Sequence, residues 1–137
     1  GRDALIETCD DQNQREDLRL KAARQLIELG DDKCVQTVSH LLDGNDSAHR
    51  REALELARMF HHLSELDAES LSDRVAPSLS DADPSIRIAA SAALAALGRT
   101  GSSALIETAL SVERDPSVRT QMYTDLVKLH QKKTVGP

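Results

Sequence analysis

The residues of this chain that are typical of metal chemistry are its histidines, two of which are adjacent. His61 and His62 are followed by Glu65, a spacing that places two ligands one turn apart on a helix end, with His40 or His49 as further ligands. This match to a metal-ligand spacing is isolated. The sequence therefore predicts a solvated helix end here, with no metal site.

Serine is the other residue type that could carry a reaction. Ser91, Ser102 and Ser103 have no histidine at a position that would identify a base. The chain also lacks a Gly-Xaa-Ser-Xaa-Gly motif and a glycine-rich phosphate loop. We expect a protein that is not an enzyme and that uses no cofactor.

The two cysteines, Cys9 and Cys34, are too far apart in sequence for a Cys-Xaa-Xaa-Cys motif. A helical chain of 137 residues needs no disulfide for stability. We therefore expect two separate, unreactive thiols in a reducing compartment. Residues Gly1 to Asp3 are not followed by the apolar core of a secretory signal, and the predicted location is cytoplasmic.

The composition limits the class of partner. The chain has 17 Lys and Arg against 23 Asp and Glu, a net charge of -6 that opposes binding to nucleic acid or to an anionic membrane. Aromatic residues make up only 1%, too few for a base-stacking platform. No apolar run is long enough to span a bilayer. We expect a protein partner and no membrane association.

An internal repeat runs through the sequence. Residues 18–30 align with residues 86–98 with apolar, Arg, Ala and Gly positions in register, and Ala4 to Thr8 are identical to Ala104 to Thr108. The repeats are anchored at Leu18, His49, Ile86 and Val118. This self-similarity predicts a single domain, 1–137, of four repeats spanning about 1–30, 31–63, 64–98 and 99–132.

Each repeat is predicted to contain two helices. In the second helix, Ile86, Ala90, Leu94 and Leu97 form one apolar face, and Asp-Pro and Gly mark the ends of such helices. The first helices are expected at about 2–9, 33–42, 67–80 and 102–113. The fold class is all-α, a right-handed α-α superhelix of about four helix pairs.

Two segments carry a family resemblance. Residues 80–90, which continue to Leu97 and Gly98, and residues 113–119 resemble the HEAT repeat, in particular the short bacterial and archaeal kind found in the phycobilisome-lyase type. Pro77 lies where the first helix of such repeats is often kinked. The resemblance covers nearly the whole chain, although the second repeat lacks the Pro and has His49 at its apolar anchor.

The resemblance also implies roles for repeated charged residues. One Arg recurs in every repeat, and in HEAT proteins it pairs with a turn Asp of the same or the next repeat. That implies a structural ladder made of Arg19, Arg50, Arg87 and Arg119 with Asp46, Asp83 and Asp115. HEAT-like deoxyhypusine hydroxylases bind iron through His-Glu dipeptides, and this chain has no such dipeptide.

The predicted function is a non-catalytic scaffold or adaptor. In a HEAT-like stack the second helices line the concave side, which suits a helix or an extended peptide. The candidate partner-binding residues are Arg24, Arg51, Leu54, Arg58, Ser91 and Tyr123. The alternatives are a nucleic-acid-binding or DNA-repair module that uses Arg24, Arg51 and Arg58, a relative of chromophore lyases or metal-dependent hydroxylases, and a regulatory domain of a larger enzyme. The terminal helices lack a polar outer layer, since Ala4, Leu5 and Ile6 begin the chain, and this predicts either a piece of a longer protein or end-to-end self-association.

Overall fold

The computed structural model describes residues 1–135, and these are helical apart from short connections. The α-helices are α1 (Arg2–Asp10), α2 (Glu16–Glu28), α3 (Val35–Leu41), α4 (Ser47–Ala57), α5 (Glu65–Val75), α6 (Pro84–Leu97), α7 (Ser102–Val112) and α8 (Pro116–Val135). A 3-10 helix, Ala76–Ser80, follows α5 directly. No strand occurs in residues 1–135, so the all-α prediction is confirmed.

Local sequence explains where the helices begin and end. Asp83 precedes α6 and accepts a hydrogen bond from the backbone N–H of Ser85, at 2.8 Å, while Pro84 occupies the first turn, where no N–H is needed. At the other end Gly98 has φ +61°, a left-handed conformation that ends α6 with an N–H bond to Leu94 O.

The predicted interruption at Pro77 is present. After Val75 the α-helix gives way to the 3-10 helix, whose first turn contains Pro77. Proline has no N–H to continue the α-helical ladder, and the tighter 3-10 turn accommodates this. The change redirects the chain toward the start of α6.

The helices stack as four antiparallel pairs. Within each pair the first helix packs on the second, and the second helices α2, α4, α6 and α8 form a continuous row. One apolar core runs along this row and includes Leu26, Leu54, Ile86, Leu94 and Met122, all fully buried. This is the architecture of a helical solenoid, as predicted. None of the helices in the described part of the chain is long and apolar enough to cross a membrane.

The prediction of two separate thiols is wrong. Cys9, near the end of α1, and Cys34, just before α3, form a disulfide, with Cα atoms 6.3 Å apart and both side chains buried. Stacking of the first two helix pairs brings together residues that are 25 positions apart in sequence. Sequence spacing alone does not reveal this contact, because it depends on how the pairs stack.

Candidate functional site

A groove lies between the second helices of the last three pairs. Its floor is made of alanine side chains of α6, and its rim carries cationic side chains from the end of α4 and from α8. The groove has a volume of about 540 Å³. The lining residues are Arg58, Ala92, Ala95, Ala96, Lys128, Gln131 and Lys132.

The sequence of α6 explains why a groove forms here. Four of the six residues from Ala92 to Leu97 are alanines, which favour helix and leave space above the backbone. The small side chains let α8 approach α6 closely on one side and leave a depression on the other. Arg58, the first residue after α4, places its side chain over this depression.

The groove is electropositive in a chain of net charge -6. Lys132 Nζ donates to the carbonyl oxygens of Ala95 and Ala96, at 3.1 and 3.4 Å, near the negative end of the α6 dipole. Arg58 and Lys128 make no ion pair or side-chain hydrogen bond with residues 1–132, the part of the chain whose side chains are described. No carboxylate of the described residues lines the groove, and Arg58 and Lys128 face it without an acidic partner among those residues.

Of the three arginines predicted to bind a partner, Arg24, Arg51 and Arg58, only Arg58 lines the groove. Arg51 is exposed and donates to Ser85 Oγ at 3.2 Å. Arg24 is half-buried and held by two carboxylates of α4, Glu52 at 3.3 Å and Glu55 at 3.9 Å. Arg24 is therefore paired within the chain.

The placement of Leu54 and Ser91 on a partner-binding surface is wrong. Both side chains are fully buried, and Ser91 Oγ donates to Asp125 Oδ2 at 2.7 Å. A second helix inside a row packs against neighbours on two sides, so positions beside its own apolar face are also covered. Tyr123 is exposed, but it lies on the outer side of the last pair, where its hydroxyl accepts a hydrogen bond from Arg119 Nη2.

Two cationic groove residues were missed in the sequence analysis. Lys128 and Lys132 are four positions apart on α8, which places them on one face of that helix. The signal was present as a pair of lysines without an acidic residue between them. The pair has no counterpart in the other repeats, so the repeat pattern does not point to it.

The Asp-Arg ladder implied by the resemblance is wrong in its pairing. Asp46, Asp83 and Asp115 each accept backbone N–H groups at the start of the following helix, and no ladder arginine pairs with them in residues 1–135. These hydrogen bonds lower the pKa of two of the carboxyls: the His49 N–H acts on Asp46, and the side chain and N–H of Ser85 act on Asp83. The three Asp are helix caps.

The four repeated arginines bind main-chain oxygens at or just after the end of the first helix in their own pair. Arg19 Nε donates to Cys9 O at 3.0 Å. The Nη1 group of Arg50 donates to Gly44 O, that of Arg87 to Asp81 O and that of Arg119 to Glu113 O, each at 2.9 Å. Each arginine therefore links the first helix of its pair to the second through a main-chain oxygen, and not through the turn Asp that the resemblance implies.

Two of these arginines also reach the next pair. In the third and fourth pairs the residue directly after the first helix is an acid, Asp81 and Glu113 respectively. We call an Asp or Glu at this position the cap acid. Arg50 Nη2 lies 3.4 Å from Asp81 Oδ2, and Arg87 binds Glu113 through two hydrogen bonds. The Arg87 guanidinium lowers the pKa of Glu113, and Glu113 raises that of Arg87.

The histidines do not assemble with other ligands. His61 and His62 are exposed, with ring centroids 6.2 Å apart, and His49 Nδ1 lies 2.9 Å from Glu16 Oε1. Within residues 1–135 no group of three or more His, Cys, Asp or Glu side chains is arranged to hold a metal ion.

Comparison with solved structures places the chain in a known class of helical-repeat fold. It superposes on human deoxyhypusine hydroxylase, solved in complex with glycerol, with a TM-score of 0.72 and 18% identity over 96% of this chain and 44% of that one. It also superposes on an engineered protein with a TM-score of 0.65 and 17% identity, over 95% and 62% of the two chains.

These similarities show the fold alone, because the sequence identities are too low to indicate a shared function. The chain spans less than half of the hydroxylase and about three fifths of the engineered protein. No protein-family model and no curated protein sequence matches it. Because one of the similar structures is an enzyme, the fold by itself does not exclude catalysis.

Proposed function

We propose that this protein is a non-catalytic interaction module that binds an acidic segment of a partner protein in the alanine-floored groove. The observation that carries the proposal is the pair of uncompensated cations, Arg58 and Lys128, on the rim of an apolar floor. Charged side chains placed around a depression give orientation and specificity, and apolar contact gives affinity.

The shape of the groove favours a peptide or a helix over a small metabolite. It is open along the row of second helices, between α4 on one side and α8 on the other. The small side chains of Ala92, Ala95 and Ala96 allow close approach of a partner backbone, as in helix-in-groove recognition. Acidic side chains of that partner meet Arg58 and Lys128.

A display selection tests the proposal. We expect a random peptide library panned on this chain to yield peptides rich in Asp and Glu. Their affinity falls at least about tenfold for the Arg58→Glu/Lys128→Glu variant, because two attractive contacts become repulsive. The control is Lys21→Glu/Lys33→Glu, which changes the net charge equally at two exposed positions outside the groove.

Two results contradict the proposal. One is selection of peptides without acidic enrichment, and the other is an equal loss of affinity in the control variant. Duplex DNA of random sequence is tested in parallel. If DNA binds more tightly than the selected peptides, with a steep decrease as salt increases, the nucleic-acid alternative replaces the peptide.

A further inference from the structure

A second cleft lies between α5 and the start of α7, the first helices of the third and fourth pairs. It has a volume of about 370 Å³. The cleft forms because α7 packs on the 3-10 helix that follows α5 and not closely on α5 itself. It shares no residue with the alanine-floored groove, and neither cap acid lines it.

The cleft contains a buried hydroxyl group without a partner. Ser72 of α5 lines the cleft and is only 4% exposed, yet its Oγ makes no hydrogen bond with any described residue. A helical hydroxyl often donates to the carbonyl four residues earlier, as Thr108 does to Ala104 O at 2.9 Å across the cleft. An unsatisfied buried hydroxyl costs free energy, and a ligand atom in the cleft would supply the missing hydrogen bond.

The rim of the cleft is acidic. Asp73, next to Ser72, is exposed and makes no ion pair with the side chains of residues 1–132. Glu69 accepts a hydrogen bond from Arg99 Nε at 2.9 Å, so the one cation among the described lining residues is already paired. The remaining negative charge at Asp73 favours a cationic ligand.

Apolar side chains extend the surface beyond the cleft along both helices. Leu105 lines the cleft and is 42% exposed. Leu66 lies one turn before Glu69 on α5, and Val112 lies one turn after Thr108 on α7; each is 79% exposed. Large apolar residues exposed beside a cleft are typical of an interaction surface. Since two of them lie outside the cleft, the surface suits a chain segment better than a small molecule.

We propose that the cleft between α5 and α7 binds a lysine side chain from a basic, amphipathic segment of a partner protein. The lysine ammonium group donates to Ser72 Oγ and pairs with the Asp73 carboxylate, and its methylene chain lies against Leu105. Apolar residues on either side of that lysine pack on Leu66 and Val112. A compact ammonium group suits one hydroxyl and one carboxylate, whereas a planar guanidinium is matched to two parallel acceptors.

A subtractive display selection tests the proposal. Peptides that bind the Asp73→Lys variant are removed first, which also removes any that bind the alanine-floored groove, and the remainder are selected on the unmodified chain. We expect these peptides to contain a lysine flanked by apolar residues. Replacing that lysine with norleucine, which keeps the chain and removes the charge, should weaken binding at least about tenfold.

A matched charge change shows whether the cleft itself is the site. Glu28→Lys alters the net charge as Asp73→Lys does, at an exposed position of α2 outside the cleft. The selected peptides should bind Glu28→Lys as they bind the unmodified chain. An equal loss of affinity in both variants overturns the proposal, and so does a selection that leaves no peptide or yields peptides without lysine enrichment.

Ser72→Ala separates binding from folding. Because the hydroxyl has no partner in the free protein, its removal should leave the urea midpoint unchanged or raise it. The affinity of the selected peptides should fall about fivefold, since the ammonium group loses an acceptor. Ser70→Ala, at an exposed position of α5, should change neither quantity. A lower urea midpoint with unchanged affinity would show that the hydroxyl serves the fold alone, and it overturns the assignment of Ser72.

Discussion

Arg87 and Glu113 form a bidentate salt bridge between the third and fourth helix pairs. Nε donates to Oε1 at 2.7 Å and Nη2 donates to Oε2 at 2.9 Å. The Arg87 and Glu113 side chains are only 18% and 5% exposed, so water and salt screen the pair weakly. Arg87 simultaneously donates to the carbonyl oxygen of Asp81, which links two successive turns through one guanidinium.

Removing the charge of Glu113 is expected to weaken the stack. Glu113→Gln leaves the Arg87 guanidinium without its carboxylate and should lower the free energy of unfolding by about 2 kcal/mol, a typical value for a hydrogen bond to a charged group. Urea denaturation followed by circular dichroism measures it. Glu107→Gln, an exposed position on α7, is the matched control, and an equal loss in both variants contradicts the prediction.

Glu113 is also expected to make the stability of the fold depend on pH. Hydrogen bonding to Arg87 lowers the pKa of Glu113 below its ordinary 4.5. As the pH falls, Glu113 is therefore protonated at a higher pH in the unfolded chain than in the folded protein. The contribution of Glu113 to stability is complete above about 4.5 and decreases as the pH falls through the folded-state pKa.

We therefore expect the stability difference between wild type and Glu113→Gln to be largest at neutral pH and to shrink in acid. Urea midpoints at pH 7 and at about pH 3 give this difference directly, while the other carboxyls cancel because both proteins contain them. A difference of equal size at both pH values argues against the assignment.

A buried hydroxyl and carboxylate join α6 to α8. Asp125 is fully buried and accepts hydrogen bonds from Ser91 Oγ, at 2.7 Å, and from the Gln121 amide. Ser91→Ala removes one donor from a desolvated carboxylate and should cost about 2 kcal/mol in unfolding free energy. Ser70→Ala, on an exposed part of α5, should cost almost nothing.

Coupling between the two residues is the sharper measurement. In a double-mutant cycle, Ser91→Ala combined with Asp125→Leu should cost less than the sum of the two single changes, because no polar group of the pair is then left without a partner. Strict additivity would show that the Ser91–Asp125 contact contributes little.

The Cys9–Cys34 disulfide should stabilise the first two helix pairs. Closing a loop of this length restricts the unfolded chain and corresponds to about 3 kcal/mol in the chain-entropy model. We expect the urea midpoint to fall when a reductant is added, and thiol titration of the denatured, unreduced protein to find no free thiol. Two reactive thiols would contradict the disulfide.

Much of the fold could be predicted from the sequence because its signals are local. The Asp-Pro start and Gly98 end of α6 follow from capping and backbone conformation, and Pro77 marks the change to a 3-10 helix. The arginine row was found from its spacing, since a repeated residue serves the repeat.

The partners of those arginines, and most of the groove, could not be predicted. The sequence shows that Arg87 recurs, but its contact with Glu113 depends on how far one pair is displaced along the next. In the same way, the periodicity of α4 shows one apolar face, whereas Leu54 is buried by a second neighbour. Only Arg58 of the groove was identified from sequence.

The absence of an acid after α3 affects the order in which the stack unfolds. Leu42 occupies that position, so Arg19 reaches Thr37 Oγ1, at 3.4 Å, where Arg50 and Arg87 reach a carboxylate. In a linear array, partial opening begins at the weakest interface. Once Cys9 and Cys34 are reduced, the amide protons of α1 and α2 should exchange with deuterium ahead of those in α6, so that the first pair opens as a separate cooperative unit.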